Sequence, residues 1–416
     1  MKKNWVVLVL SILFAAPFAN ASEPLGKEGV QNRRMIVFQE GVSLDEQKKI
    51  AQEQGLEVLR VFKPINALVV RSKPGRASTA SMRLMANPKV GQVAQDFYTN
   101  WLYNAPALPQ LPAFDQVMKS LKPLNKGMGK APIKSEIQWG VKRHNAPEAW
   151  KKTRGKGVKV AVVDTGIDGG HYEFAGRIKG GHNAIDETQP WTDDHSHGTH
   201  VAGIIAAAMD GQGVVGVAPE AELYGVKVLS ADGSGSLFSI IGGIMWCIDN
   251  KMDVVNMSLG SPQGNVMFEF AVKRMEIADI PLIAAAGNDG GPVGFPAAYS
   301  GAIAISAMCP KGGAEDARLC TGDNPIATFS SRGPEIEFIA PGVLIPSTVL
   351  GQEIKAYSGT SMASPHVAGL AALAVANGNH GAKAVRRALI RSARRIKGLD
   401  RSEQGYGLIN AADLVD

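Results

Sequence analysis

A chain of 416 residues with 45% apolar and 20% charged residues is long enough for two or three domains with large cores, which excludes a wholly disordered or fibrous protein. Its net charge of +6 is uneven: residues 1–134 carry 19 Lys and Arg against 9 Asp and Glu, and residues 135–416 carry 25 against 29. The basic excess belongs to the front alone and no nucleic-acid-binding motif accompanies it, so nucleic acid is excluded as a partner; two mutually attracting segments fit the split better.

Lys2 and Lys3 precede an apolar run from Trp5 to Phe14, too short to span a bilayer, and Ala19-Asn20-Ala21 supplies a small-x-small cleavage pattern. Residues 1–21 are expected to be a signal peptide. With no other long apolar run, the remainder is expected to be exported, extracellular or periplasmic, without stable membrane association. Residues 22–98 hold a small α+β unit in the order β-α-β-β-α-β: strands near Met35–Phe38, Val58–Phe62, Ala67–Val70 and Val90–Ala94, with helices opened by a Ser43/Glu46 capping box and running near Ala77–Met85. The unit has no His and its charges are expected to face solvent; alone it reads as a binding module or folding aid. Residues 99–134, with Pro106, Pro109, Pro112, Pro123 and Pro132, read as an exposed linker.

From 135 to 416 strand and helix patterns alternate. Val158 to Val163 is a β-branched run of the kind that forms a parallel strand buried on both faces, which puts Asp164 at the carboxyl end where open α/β sheets place their sites. Asp193-Asp194-His195-Ser196-His197-Gly198-Thr199-His200 then leads into an apolar helix. Zinc held by His195, His197 and His200 is one reading, weakened because no Glu lies between them to serve as base. The other is a general base held by Asp164, and position alone leaves all three histidines open for that role. Ser258-Leu259-Gly260 ends a strand whose free backbone groups suit an added peptide strand, and Asn288 follows the strand Pro281 to Ala286. Ser361 stands where an irregular segment turns into an Ala-rich helix, among backbone N–H groups that favour negative charge. Cys247 reads as a buried free thiol, and Cys309 and Cys320 are expected to close a stapled surface loop. The basic residues Arg386, Arg387, Arg391, Arg394 and Arg395 read as the solvated face of an amphipathic helix.

Taken in order, Asp164-Thr165-Gly166-Ile167-Asp168, Ser196-His197-Gly198-Thr199-His200-Val201-Ala202-Gly203, Ala284-Ala285-Ala286-Gly287-Asn288 and Gly359-Thr360-Ser361-Met362-Ala363-Ser364-Pro365-His366 resemble the subtilisin-like serine proteases, the subtilases. The resemblance spans 135–416 and implies an α/β catalytic domain with a mostly parallel sheet flanked by helices. It also likens 33–98 to the family's ferredoxin-like inhibitory propeptide, which would make 22–98 an inhibitor and folding aid and put the maturation site in or near 99–134. Carried over, it implies Ser361 as nucleophile, His197 as acid and base, Asp164 as its orienting carboxylate and Asn288 in the oxyanion hole. Ser234, Gly235, Ser258, Leu259 and Gly260 would clamp a peptide, and Ala285, Ala286, Gly287 and Gly294 would line a pocket for a large apolar or aromatic residue before the scissile bond. A structural calcium is implied at Glu173, Asp210 and the carbonyls of Ala208, Gln212 and Val214, with Ser135 or Glu136 replacing the family's usual N-terminal Gln. The implied protein is a secreted bacterial endopeptidase, monomeric, self-processing and without an organic cofactor, acting on proteins or peptides. The competing classes are a peptide-binding pseudoprotease and a zinc metallohydrolase.

Overall fold

A computed structural model describes residues 24–102, 137–314, 318–321 and 325–416. The expected signal peptide, the Pro-rich stretch beyond Leu102, and Ser135 and Glu136 lie outside the described residues.

The N-terminal unit forms β1 (Arg33–Phe38), the helix Leu44–Glu53, β2 (Glu57–Phe62), β3 (Ala67–Arg71), the helix Ala77–Met85 and β4 (Val90–Gln95), with sheet order β2-β3-β1-β4. Only half of the expected capping box forms: Ser43 Oγ accepts from Glu46 N, while the Glu46 carboxylate pairs with Lys89. One face of this sheet packs Ile36, Leu68 and Val70 against its own helices. The other sets Met35, Leu59, Phe62 and Val69 into a cluster shared with Ile241, Met245 and Phe268 of the C-terminal region. That second interface corrects the expectation that all charges here face solvent. Arg33 and Asp96 form a buried ion pair, and buried Arg60 reaches Glu187 of the C-terminal region at 2.9 Å. A charge removed from water in this way needs such a partner.

The linker also begins later than expected. Residues Tyr98–Asn100 form β5 and Trp101 is fully buried, because this segment is covered by the C-terminal region instead of crossing solvent.

In the C-terminal region, β6 (Lys159–Asp164), β7 (Ile178–Asn183), β8 (Glu222–Lys227), β10 (Val254–Met257), β11 (Leu282–Ala285), β12 (Ala302–Met308) and β13 (Ile336–Pro341) make a seven-stranded sheet of order β13-β12-β11-β10-β6-β8-β7, all pairs parallel. The chain leaves β6 toward β8 on one side and returns to β10 on the other. The crevice at the carboxyl end of β6 is therefore where strand order reverses, the usual ligand position in such sheets. Short β9 (Ser234–Ser236) pairs with β5 and runs into the helix Leu237–Asp249, whose capping box joins Ser236 and Ser239. The helix Thr360–Ala376 crosses the sheet with nearly every residue buried, which its run of Ala, Val, Leu and Gly allows.

Cys309 and Cys320 are joined by a disulfide, and Cys247 is a buried free thiol. The stapled loop is less superficial than expected: Leu319 and both half-cystines enter the main core, and Thr328 N donates to Leu319 O at 3.0 Å. The basic face of the helix Ala382–Ser392 also has an exception. Arg386 turns inward, with Nε 2.9 Å from Glu337 Oε2 and one terminal nitrogen 2.6 Å from Ala302 O, because Glu337 would otherwise sit unpaired. Among the described residues no helix is long and apolar enough to cross a membrane.

Candidate active site

Asp164 ends β6, fully buried, and its Oδ1 accepts both Thr165 N and His197 Nδ1 at 2.8 Å. His197 opens the helix His197–Ala206. Only a glycine fits next to it, since a Cβ on Gly198 would lie 2.1 Å from the Gly166 carbonyl, so the two motifs can approach this closely. Burial pushes the His197 imidazole below its ordinary value, but the charge and hydrogen bond of Asp164, with Asp193 behind it, outweigh this and hold it above. The imidazole can therefore take up a proton with a counter-charge already in place.

The other two histidines of the cluster diverge from it. His200 is buried with Nε2 3.0 Å from Lys355 O, stacked on Tyr357, and burial drives it down to about 3. His195 sits edge-on to His197 at a ring-centroid distance of 6.2 Å. Among the described residues no group of three or more His, Cys, Asp or Glu side chains is placed to hold a metal ion, so the geometry lends the zinc reading no support.

Ser361 lies in the first turn of its helix, and its Oγ donates to Ser258 O at 3.1 Å instead of to His197. Such contacts are commonly loose until substrate is bound. Beside it, Asn288 Oδ1 accepts Thr360 N and Thr360 Oγ1, both at 2.8 Å, which commits the oxygen end of the amide and leaves Nδ2 a donor unused among the described residues. A Cβ placed on Gly359 would be 3.4 Å from Asn288 Nδ2 and 3.6 Å from Ser361 N, so both donors border one small space. Gly287, at φ +120°, makes the turn that delivers Asn288 and donates to Thr360 Oγ1 at 3.1 Å.

Sequence reasoning does not find the supports of this arrangement. Ser258 Oγ donates to Ser361 O, Asn256 Nδ2 donates to Ser258 Oγ, and Ser364 Oγ donates to Asn256 Oδ1 at 2.6 Å, forming one buried chain behind the serine. The signal is present as a polar Asn256 inside the apolar run Val254-Val255-Asn256-Met257. Thr165, Thr360 and Asp193 carry no comparable signal.

The expected peptide edges hold a segment of the same chain. β5 pairs antiparallel with β9, Thr99 opposite Gly235 and Asn100 opposite Ser234. Trp101 N donates to Gly233 O at 3.0 Å and its Nε1 to Gly235 O at 2.9 Å, and Trp101 O accepts from Gly260 N at 2.8 Å. The indole stacks on Phe97 and meets Phe268 edge-on, in a cluster that includes Leu237 and Leu259. Ala285, Ala286 and Gly287 lead up to Asn288, and Gly294 N is bound to Ala286 O at 2.9 Å.

Glu173 and the loop 208–214 also meet. Glu173 is fully buried, its Oε1 accepts Val214 N at 2.9 Å, its Oε2 has no hydrogen-bond partner among the described residues, and Ala208 N donates to Glu173 O at 2.8 Å. Burial pushes this carboxyl up to about 8, against the Val214 hydrogen bond and aided by the charge of Asp210. Asp210 Oδ1 accepts Gln212 N at 2.9 Å.

The family model described as "Subtilase family" matches residues 155–407. Subtilisin E of Bacillus subtilis (strain 168) is 36% identical over 385 residues, covering 89% of this chain and 88% of its own, an extent that reaches into the N-terminal unit. Subtilisin of Bacillus pumilus is 45% identical over 244 residues (57% of this chain, 84% of its own). A thermostable alkaline protease of Halalkalibacterium halodurans (strain ATCC BAA-125 / DSM 18197 / FERM 7344 / JCM 9153 / C-125) is 46% identical over 243 residues (58% and 63%).

Proposed function

In a chain that belongs to the subtilase family and is a serine endopeptidase, we propose that Asp164, His197, Ser361 and Asn288 carry out the reaction and that residues 22–98 are the inhibitory propeptide of a secreted, self-processing precursor. His197 removes the Ser361 proton as Oγ attacks the scissile carbonyl. Asn288 Nδ2 and the Ser361 N–H receive the oxyanion, and Asp164 stabilises the imidazolium. His197 then protonates the leaving amine, and water repeats the sequence on the acyl-enzyme.

The observation that carries self-processing is the placement of β5. The chain's own strand occupies the expected peptide edges, runs from Ser236 toward Gly233 and reaches Gly260, two residues beyond the Ser258 carbonyl to which Ser361 Oγ donates. A strand lying that way presents its carboxyl-side bonds for cleavage and blocks the cleft until it leaves. N-terminal sequencing and intact mass of the active form test this. The new N terminus is expected beyond Leu102, and an active enzyme that still carries β5 would refute it. The small residues Ala285, Ala286, Gly287 and Gly294, with no carboxylate among them, favour a large apolar or aromatic residue before the scissile bond.

Calcium fits the Glu173 pocket. A buried carboxylate oxygen without a partner among the described residues, with the charge of Asp210 felt beside it, is the kind of donor a hard cation takes, and the carbonyls of Ala208, Gln212 and Val214 would complete the set. Its role there would be structural, tying the loop 208–214 to Glu173. Removing calcium with a chelator is expected to lower the melting temperature of the active form and, at first, leave kcat unchanged. Calcium at a hundred times its Kd should restore about 2.7 kcal/mol of stability. A melting temperature indifferent to both treatments counts against the site. No observation favours the pseudoprotease reading, since all four reacting positions hold competent groups.

A further inference from the structure

We propose that Asp193 is a positioning residue of the reaction: from one buried carboxylate it fixes both the turn that follows Asp164 and the helix start that carries His197, and so sets the contact between them. Asp193 is 5% exposed. Its Oδ1 accepts Thr165 Oγ1 at 2.8 Å, His195 N at 2.9 Å and Ser196 N at 3.2 Å; its Oδ2 accepts Thr199 N at 3.0 Å and Thr199 Oγ1 at 2.5 Å. Both hydroxyls pass the restraint on. Thr165 Oγ1 accepts Gly198 N at 3.0 Å, and Thr199 Oγ1 accepts Asp168 N at 2.9 Å. The Asp164 loop and the first turn of the His197 helix are therefore held against each other through one anionic group, with five charge-assisted hydrogen bonds and, among the described residues, no Lys or Arg paired with it.

The backbone before His197 needs such a hold. Ser196, the residue preceding the helix, has φ 87° without being glycine, and its side chain caps nothing in the helix. A conformation of this kind persists only where its surroundings over-determine it. Asp193 takes the capping role from three residues upstream and binds Ser196 N directly. Its charge is also felt at the His197 imidazole, which has Asp164 against it and the rings of His195 and His200 near it; Asp193 also acts on Tyr357, and Asp194, which acts on His195, is paired with Lys227.

A purely structural cap and a positioning residue differ in what they do to the pH profile. Asp193→Asn keeps the size and one acceptor oxygen but puts N–H groups against Thr199 N or against the donors on the other oxygen, and removes the charge. Its active form, produced from the full chain, is expected to show kcat per active site reduced about tenfold to a hundredfold, the scale of a small misplacement of reacting groups, with KM little changed. The acid limb of kcat/KM should move to lower pH, because an anion that favours the imidazolium has gone. Thr165→Val breaks the bridge but keeps the charge, so kcat should fall with the acid limb unmoved. Asp193→Glu should return the acid limb without returning full kcat. Active sites are counted with a serine-directed sulfonyl reagent, so that misfolded molecules do not enter the rate. Parent-level kcat per active site in either Asp193→Asn or Thr165→Val would overturn the proposal, as would an acid limb unchanged in Asp193→Asn. If Asp193→Asn yields no active protein, Thr165→Val decides alone. The inference rests on the triad reading, which Ser361→Ala tests by itself, so the two failures can be told apart.

Discussion

Ser361→Ala is expected to leave the full-length chain uncut at its own processing site and to lower kcat on peptide substrates by about a millionfold, the figure known for the equivalent loss in a subtilisin. The change removes one oxygen whose only hydrogen bond among the described residues is to Ser258 O, at a helical position where Ala is the better helix former. The helix, the buried Asn256–Ser258–Ser364 chain and the seat of β5 do not depend on that oxygen, because Ser258 Oγ binds the Ser361 carbonyl. Loss of activity should therefore come without loss of fold, and the variant should persist as an intact precursor with a melting temperature close to that of the parent. Gel mobility and intact mass read the first outcome, and calorimetry the second. A Ser361→Ala chain that still cuts itself in a purified, protease-free preparation would remove Ser361 from the mechanism.

Much of this site is legible in the sequence because it lies where local rules are strong. A continuous β-branched run ending in Asp164, a histidine at the start of an apolar helix, and a serine where small residues give way to an Ala-rich helix are each visible within a dozen residues. Their meeting at one crevice follows from the parallel order of the sheet. What escapes is set by contacts between segments far apart in sequence. Arg33 and Arg60 look like solvent-facing charges on their strands, and only the docking of the N-terminal sheet on Ile241 and Met245 buries them. Trp101 looks like part of a Pro-rich linker, because nothing local announces that its indole will fill a space between Phe97 and Phe268. Asp193 reads as one acid among several, and its importance appears only when Thr165 and Thr199, far apart along the chain, are seen to share it.

Asn288→Asp should be the second most damaging single change, lowering kcat by about 10² to 10³ with KM little altered, a range carried over from the oxyanion-hole asparagine of a subtilisin, where it is known. The substitution isolates one atom. Asn288 Oδ1 accepts Thr360 N and Thr360 Oγ1, and an aspartate keeps an oxygen there, so the start of the Ser361 helix stays anchored. What changes is the other arm, where a donor bordering the space beside Gly359 becomes an acceptor that repels the developing oxyanion. Asn288→Leu would remove both arms at once, and its loss should include stability as well as rate, since Thr360 N would be left buried without a partner. Comparing the two separates the roles: equal melting temperatures of parent and Asn288→Asp with a large drop in kcat place the effect on the transition state. A loss confined to KM would instead mean that Asn288 acts on bound substrate, and the hole would have to be sought elsewhere.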